Sequence, residues 1–260
     1  MDVHGTCDER FEAVRAVMAG NLASGADLGA SFCATIEGEP VVDIWGGWAD
    51  VEQTRAWEAD TIVNVYSTTK TMCATTALLL ADRGEIDFAA PVARYWPEFA
   101  ANGKEAVTVG QLMSHSSGVS GWAEPMAPED LYDWDKATSL LAAQAPWWEP
   151  GSAPGYHAIT QGYLVGEVVR RVAGKSLGTV FREEIAEPLG ADFHIGLAAS
   201  EDHRVADLEP PPESPMVFSN EVQRKTFGNP PIHPLQTRTR AWRAAEIPAA
   251  GGHGNARSVA

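Results

Sequence analysis

Val63-Asn64-Val65-Tyr66-Ser67-Thr68-Thr69-Lys70-Thr71-Met72-Cys73, running on through Ala77-Leu78-Leu79-Leu80-Ala81 to Asp82-Arg83-Gly84, is the stretch whose reading decides the fold. A short β-branched run leads into Ser67. A helix-forming, largely apolar stretch then extends to Gly84, a residue suited to the position just past a helix C-terminus. Ser67 therefore sits at the mouth of a helix, and residues three apart on that helix share a face, so the Ser67 hydroxyl can meet the Lys70 amine. A helix apolar on most sides belongs inside a domain, where a lysine ammonium is poorly solvated and its pKa falls. Such a lysine is equipped to act as a base. The spacing alone is weak evidence, because Ser67 could simply cap the helix while Lys70 reaches solvent; this is, however, the only Ser-x-x-Lys in the chain.

Outward from this element, the 260 residues are enough for one large core, and the 45% hydrophobic and 8% aromatic content is that of a globular chain. A net charge of -16 with no basic stripe argues against nucleic-acid binding. Cys7, Cys33 and Cys73 are odd in number and widely spaced, which fits reduced thiols. Neither a secretory signal nor an apolar run of membrane-spanning length is visible, so the chain is expected to be cytoplasmic and off the membrane. No Walker loop, dinucleotide fingerprint or His/Cys ligand cluster is present, and no metal or cofactor is expected. Oligomeric state cannot be read from the sequence.

On the N-terminal side, Phe11, Val14, Val17 and Met18 recur at helical spacing between Arg10 and Leu22, and this helix ends near Gly25. Gly29 to Ile36 and Val41 to Trp48 flank a tight turn and read as a hairpin. Helix, hairpin and buried helix in that order predict an α+β fold, with helices packed on an antiparallel sheet. On the C-terminal side, a short helix is expected between Val107 and His115, whose histidine is expected to serve structure. A further helix spans Lys136 to Ala145, and the Trp-rich loop around Trp147-Trp148 could wall a cleft. A strong helix runs from Ala158 to Val172, and another from Ser176 to Ile185.

Gly174-Lys175-Ser176-Leu177-Gly178 matches the Gly-x-Ser-x-Gly nucleophile elbow, but a helix enters it where the elbow needs a strand. Gly174 is read as a helix terminator and Ser176 as an N-cap. Prolines at 210, 211, 212, 215, 230, 231 and 234 predict an irregular surface excursion from Leu208 to Leu235, a candidate lid. The last stretch, Glu246 to Ala260, reads as a glycine turn followed by the first turn of a helix.

Ser-x-x-Lys is the arrangement of active-serine penicillin-recognising enzymes. Pro154-Gly155-Tyr156-His157-Ala158 resembles the Tyr-x-Asn position of class C β-lactamases, DD-peptidases and family VIII carboxylesterases. Gly46-Gly47-Trp48-Ala49-Asp50 resembles the end of their N-terminal hairpin, and Leu112-Met113-Ser114-His115-Ser116-Ser117-Gly118 resembles their L-L-x-H-x-S-G segment. The resemblance implies a β-lactamase/transpeptidase-like fold, an antiparallel sheet flanked by helices plus an all-helical region, over a single domain. Residues 1–66 would supply the helix and hairpin, 67–207 the helical region with the motifs, and 208–260 the Pro-rich excursion and a helix start.

The resemblance also implies a serine hydrolase working through an acyl-enzyme on small-molecule esters or amides. Ser67 would be the nucleophile, Lys70 its base and Tyr156 a proton carrier; separately, Tyr66, His157 and Trp122 are expected to contact substrate. Ala158 replaces the asparagine that would meet a β-lactam side chain, so a carboxylesterase is expected ahead of a β-lactamase or D-amino-acid peptidase. A non-catalytic binding relative is the reading from another class. The family continues into C-terminal strands, one bearing Lys-Thr-Gly or His-x-Gly and a second oxyanion donor. Gly252-His253-Gly254 is expected not to be that strand, so these strands are expected to be missing, the chain to be truncated, and its turnover to be weak.

Overall fold

The computed structural model describes residues 2–210 and 217–260. The chain starts with strand β1 (Val3–Cys7), helix α1 (Glu12–Ser24), and strands β2 (Gly29–Ile36) and β3 (Glu39–Gly47). The hairpin of β2 and β3 is where the sequence put it, but β1 pairs antiparallel with the far side of β3, giving the order β1-β3-β2. Along β3 the burial alternates, as a sheet with one covered face requires, and α1 supplies the cover by setting Met18 and Leu22 on Val42 and Ile44. Val3-His4-Gly5-Thr6-Cys7 carries no such alternation, so β1 was not legible.

After the short strand β4 (Val63–Asn64), a single 3-10 turn over Tyr66–Thr68 opens helix α2 (Thr69–Asp82). Thr69, Met72, Cys73, Thr76, Ala77 and Leu80 are its buried face, and Gly84 follows its end with φ +76°. Helices α3 (Val109–Met113), α4 (Trp134–Ala143) and α5 (Thr160–Ala173) follow. Every residue of α5 from Thr160 to Val169 is buried, making it the axis of the main core together with α2. Helix α6 (Leu177–Phe181) passes through a π turn into α7 (Glu187–Leu189). Ser176 caps α6 by accepting the Thr179 N–H and donates to Glu246 at 2.6 Å, while Gly174 ends α5 in the left-handed region. The Gly-x-Ser-x-Gly match is thus a helix junction, as its surroundings indicated.

Strand β5 (Phe193–Ile195) joins a second sheet, and two elements here correct the sequence reading. The Pro-rich stretch contains a regular helix, α8 (Glu221–Gly228), capped by Asn220, because the prolines lie on either side of it. Residues 211–216 of that stretch, part of the candidate lid, lie outside the described residues. After α9 (Arg240–Ala244), Gly252–Gly254 form strand β6, the centre of the order β4-β6-β5, where a turn was expected. Three residues, two of them glycine, carry no strand signal of their own; pairing on both sides makes the strand. Among the described residues no helix is long and apolar enough to cross a membrane.

Segment 247–252 is fixed against the start of α2 from several directions. Asn64 donates to Ala250 O and accepts from Trp242 Nε1, Val65 N–H donates to Gly252 O, and Gly252 N–H donates to the Thr69 hydroxyl. On the other side Gly162 of α5 lies so close that a Cβ there would stand 2.4 Å from Ala249 N. Gly162→Ala is therefore expected to push Ala249 off Lys70 and destabilise the fold by about 1–3 kcal/mol, read from the urea midpoint. An unchanged midpoint would mean that the segment is not held by this contact.

Candidate active site

Ser67 is exposed in the 3-10 turn that opens α2. The turn is tight: Tyr66, preceding the serine, has φ +42°, a left-handed value that costs a bulky residue on the order of 1 kcal/mol. The Thr69 hydroxyl holds it by donating to Tyr66 O. Ser67 N–H, at this helix mouth, has no protein acceptor among the described residues.

Lys70 lies one turn along. Its Nζ is 3.2 Å from Ser67 Oγ, 2.7 Å from Ala158 O and 2.9 Å from Ala249 O. Burial lowers its pKa below the usual 10.5, partly offset by Tyr156. The three partners suit both protonation states. An ammonium donates to all three; a neutral amine donates to the two carbonyls and turns its lone pair to the Ser67 hydroxyl. A proton can therefore pass from serine to lysine with the heavy atoms in place. Cys73, also near Lys70, is fully buried and its thiol is pushed up to about 12, so it stays protonated.

Tyr156 completes the cluster from 89 residues away, its Oη donating to Ser67 Oγ at 2.7 Å, and the Lys70 ammonium lies 4.9 Å from its ring centre. A clasp of two histidines holds this tyrosine. Gly155 N–H donates to His115 O at 2.8 Å and His157 N–H donates to His115 Nδ1 at 3.1 Å. His157 Nδ1 binds Gly155 O, and its Nε2 pairs with Ser117 Oγ at 2.7 Å. The His115 ring also packs on Tyr156, with centres 4.9 Å apart. His115 thus serves structure, as the sequence suggested, and holds φ +60° to do so.

Of the six expected site residues, Ser67, Lys70 and Tyr156 meet in one place. Of the other three, His157 and Trp122 are corrected as substrate contacts, and Tyr66 stays beside the serine. His157 is fully buried and its hydrogen bonds are internal. Trp122 is 2% exposed, donates to Ala137 O and stacks edge-on against Tyr163 in the core. Tyr66 is half-buried against the main core, where burial raises its phenol pKa. Tyr66 and His157 are next in sequence to Ser67 and Tyr156, but an adjacent residue points elsewhere; Trp122 is far along the chain from all three. Ala249, whose carbonyl binds Lys70, was missed because a backbone acceptor leaves no residue-type signal. Among the described residues, no group of three or more His, Cys, Asp or Glu is placed to hold a metal.

Comparison with known proteins places this geometry. The Beta-lactamase family model matches residues 14–260. The esterase/beta-lactamase LipL of Mycobacterium tuberculosis is 42% identical over 208 residues, 79% of this chain and 48% of that protein. The crystal structure of a family VIII carboxylesterase superposes with a TM-score of 0.92 at 50% identity, covering 98% of this chain and 69% of its own. A penicillin-binding protein homolog from Caulobacter crescentus superposes at 0.91 with 44% identity, covering 98% and 68%. The chain spans about half the length of the curated relatives it matches. Its fold is β-lactamase/transpeptidase-like, with the serine, lysine and tyrosine gathered where the helical region meets β4. On this evidence, from a family match over nearly its whole length, the chain belongs to the beta-lactamase family.

Proposed function

We propose that this chain carries the catalytic groups of a serine hydrolase that cleaves small esters through an acyl-enzyme on Ser67. The observation that carries the reading is the unbroken line Tyr156 Oη, Ser67 Oγ, Lys70 Nζ, with the lysine depressed by burial. A serine hydroxyl is a poor nucleophile until a base removes its proton. Lys70 takes that proton as Ser67 Oγ attacks the ester carbonyl, and the Ser67 N–H faces the oxygen on which charge develops. Collapse of the tetrahedral species breaks the bond to the alcohol oxygen, which takes its proton from Tyr156 Oη; the Lys70 ammonium resupplies the phenol. Water attacking the acyl-enzyme by the same relay in reverse then releases the acid and restores Ser67.

Ala158 supports esters over β-lactams, since its side chain offers no amide and its carbonyl is engaged with Lys70. A β-lactamase on the same groups is the second reading, favoured by a relative named for both activities. The test compares a short p-nitrophenyl ester with a chromogenic cephalosporin, with Ser67→Ala as control and the acylated peptide located by mass spectrometry. Ester acylation confined to Ser67 is expected. Cephalosporin acylation at equal or higher rate would favour the second reading, and labelling that survives in Ser67→Ala would defeat both.

A further inference from the structure

Beside Tyr156 lies a cavity of about 500 Å3, closed on one side by the Trp-rich loop and on the other by α8. Phe227 stacks on the Tyr156 ring at 6.4 Å and forms its outer wall, and Val222 projects from the same helix. Helix α8 is firmly seated. Thr226 and Ser120, both buried, share a hydrogen bond of 2.8 Å, and the Asn229 side chain binds Met126 N, Trp122 O and Glu124 O.

We propose that this cavity receives the alcohol part of the ester, and that this part is an apolar alkyl or aryl group. The assignment rests on the roles proposed above for Ser67 and Tyr156. Its first support is directional. The leaving oxygen must reach the proton on Tyr156 Oη, because Lys70 is already committed to two carbonyls and Ser67. The carbon attached to that oxygen then extends along Tyr156, toward the cavity the ring borders. The second support is chemical. The polar groups that line the interior already have partners: the Ser120 and Thr226 hydroxyls bind each other, and Trp148 Nε1 donates to Ala153 O. Asn220 Oδ1 and Gln223 Oε1 are taken by their own segment, at the exposed rim. A polar alcohol would meet only a hydroxyl pair already bound to each other, whereas an alkyl or phenyl group would meet Trp148, Val222 and Phe227.

The test measures single-turnover alcohol release from methyl, butyl and benzyl acetate, and from methyl acetate, butyrate and hexanoate. The chain itself is compared with Val222→Trp, which fills the cavity, and Phe227→Ala, which removes its wall. NMR saturation transfer to benzyl alcohol reports occupancy without chemistry. Benzyl and butyl acetate are expected to react faster than methyl acetate, with that preference reduced about tenfold or more in both variants and the acyl-series preference kept. Benzyl alcohol saturation is expected for the chain and lost in Val222→Trp. Selectivity that follows the acyl series, or alcohol binding indifferent to Val222→Trp, overturns the assignment. Benzyl alcohol binding without any acylation of Ser67 would instead overturn the serine reading on which it rests.

Discussion

Replacing Lys70 with methionine is expected to slow acylation of Ser67 by about a thousandfold or more, in the range that general-base catalysis supplies together with its coupled proton transfers. Methionine keeps the length and the burial but cannot accept the serine proton. The same change leaves Ala158 O and Ala249 O without their donor, which costs stability on the order of 1–3 kcal/mol, so the melting temperature must be recorded beside the rate. A pH profile separates the two effects. Because burial holds the Lys70 pKa below 10.5, acylation should rise with pH through a midpoint under that value as the amine loses its proton. The variant should lack that rise. A fluorophosphonate labelling rate that is equal in the two proteins, with both folded, would remove Lys70 from the chemistry.

Acidification is expected to weaken the fold well before its carboxylates are protonated. His157 and His253 are both fully buried, and burial lowers each from 6.5 to about 4. Hydrogen bonds to Gly155 O and Gly251 O oppose the shift, whereas positive neighbours deepen it: His115 and Lys70 at His157, and Arg243, His194 and Arg240 at His253. The unfolded chain takes up these protons near pH 6.5 and the folded chain only near pH 4. Stability is therefore complete above pH 6.5, falls as pH drops toward 4, and stops falling from this cause below it. Each histidine contributes on the order of 3 kcal/mol to the difference. The Asp192 carboxyl is held far below its usual range, chiefly by Arg204 against the opposing effect of burial, and so adds its own loss only in stronger acid. Urea midpoints at pH 7.5, 5.5 and 4.5 would show the decline, and His157→Gln should flatten its own share. A midpoint constant over this window would refute the buried neutral state of both rings.

The clasp makes the first of these histidines more than a stability element. His157 and His115 hold the backbone on both sides of Tyr156, so replacing His157 is expected to disturb the phenol's position as well as the fold. His157→Gln should therefore slow acylation of Ser67 at pH 7.5, under conditions where circular dichroism shows the variant folded.

The sequence by itself determined the elements whose signal is local. The periodic apolar faces of α1, α2 and α5, the hairpin of β2 and β3, and the Ser67–Lys70 pairing follow from residues within one or two turns of each other. The Ser176 cap was legible for the same reason, because a helix visibly precedes it. Tyr156 was found only by resemblance, since nothing in its neighbourhood tells it from any other tyrosine. The tertiary structure alone decided the rest. Strand β6 exists because β4 and β5 flank it, and α8 persists between prolines because Asn220, Thr226 and Asn229 anchor it. The position of the Lys70 amine depends on two carbonyls, 88 and 179 residues away along the chain, and its lowered pKa on the burial that their segments create. Trp122 and His157 went to the core for a like reason: whether an aromatic faces solvent or packing is set by what long-range contacts put beside it, and a linear pattern holds no record of that.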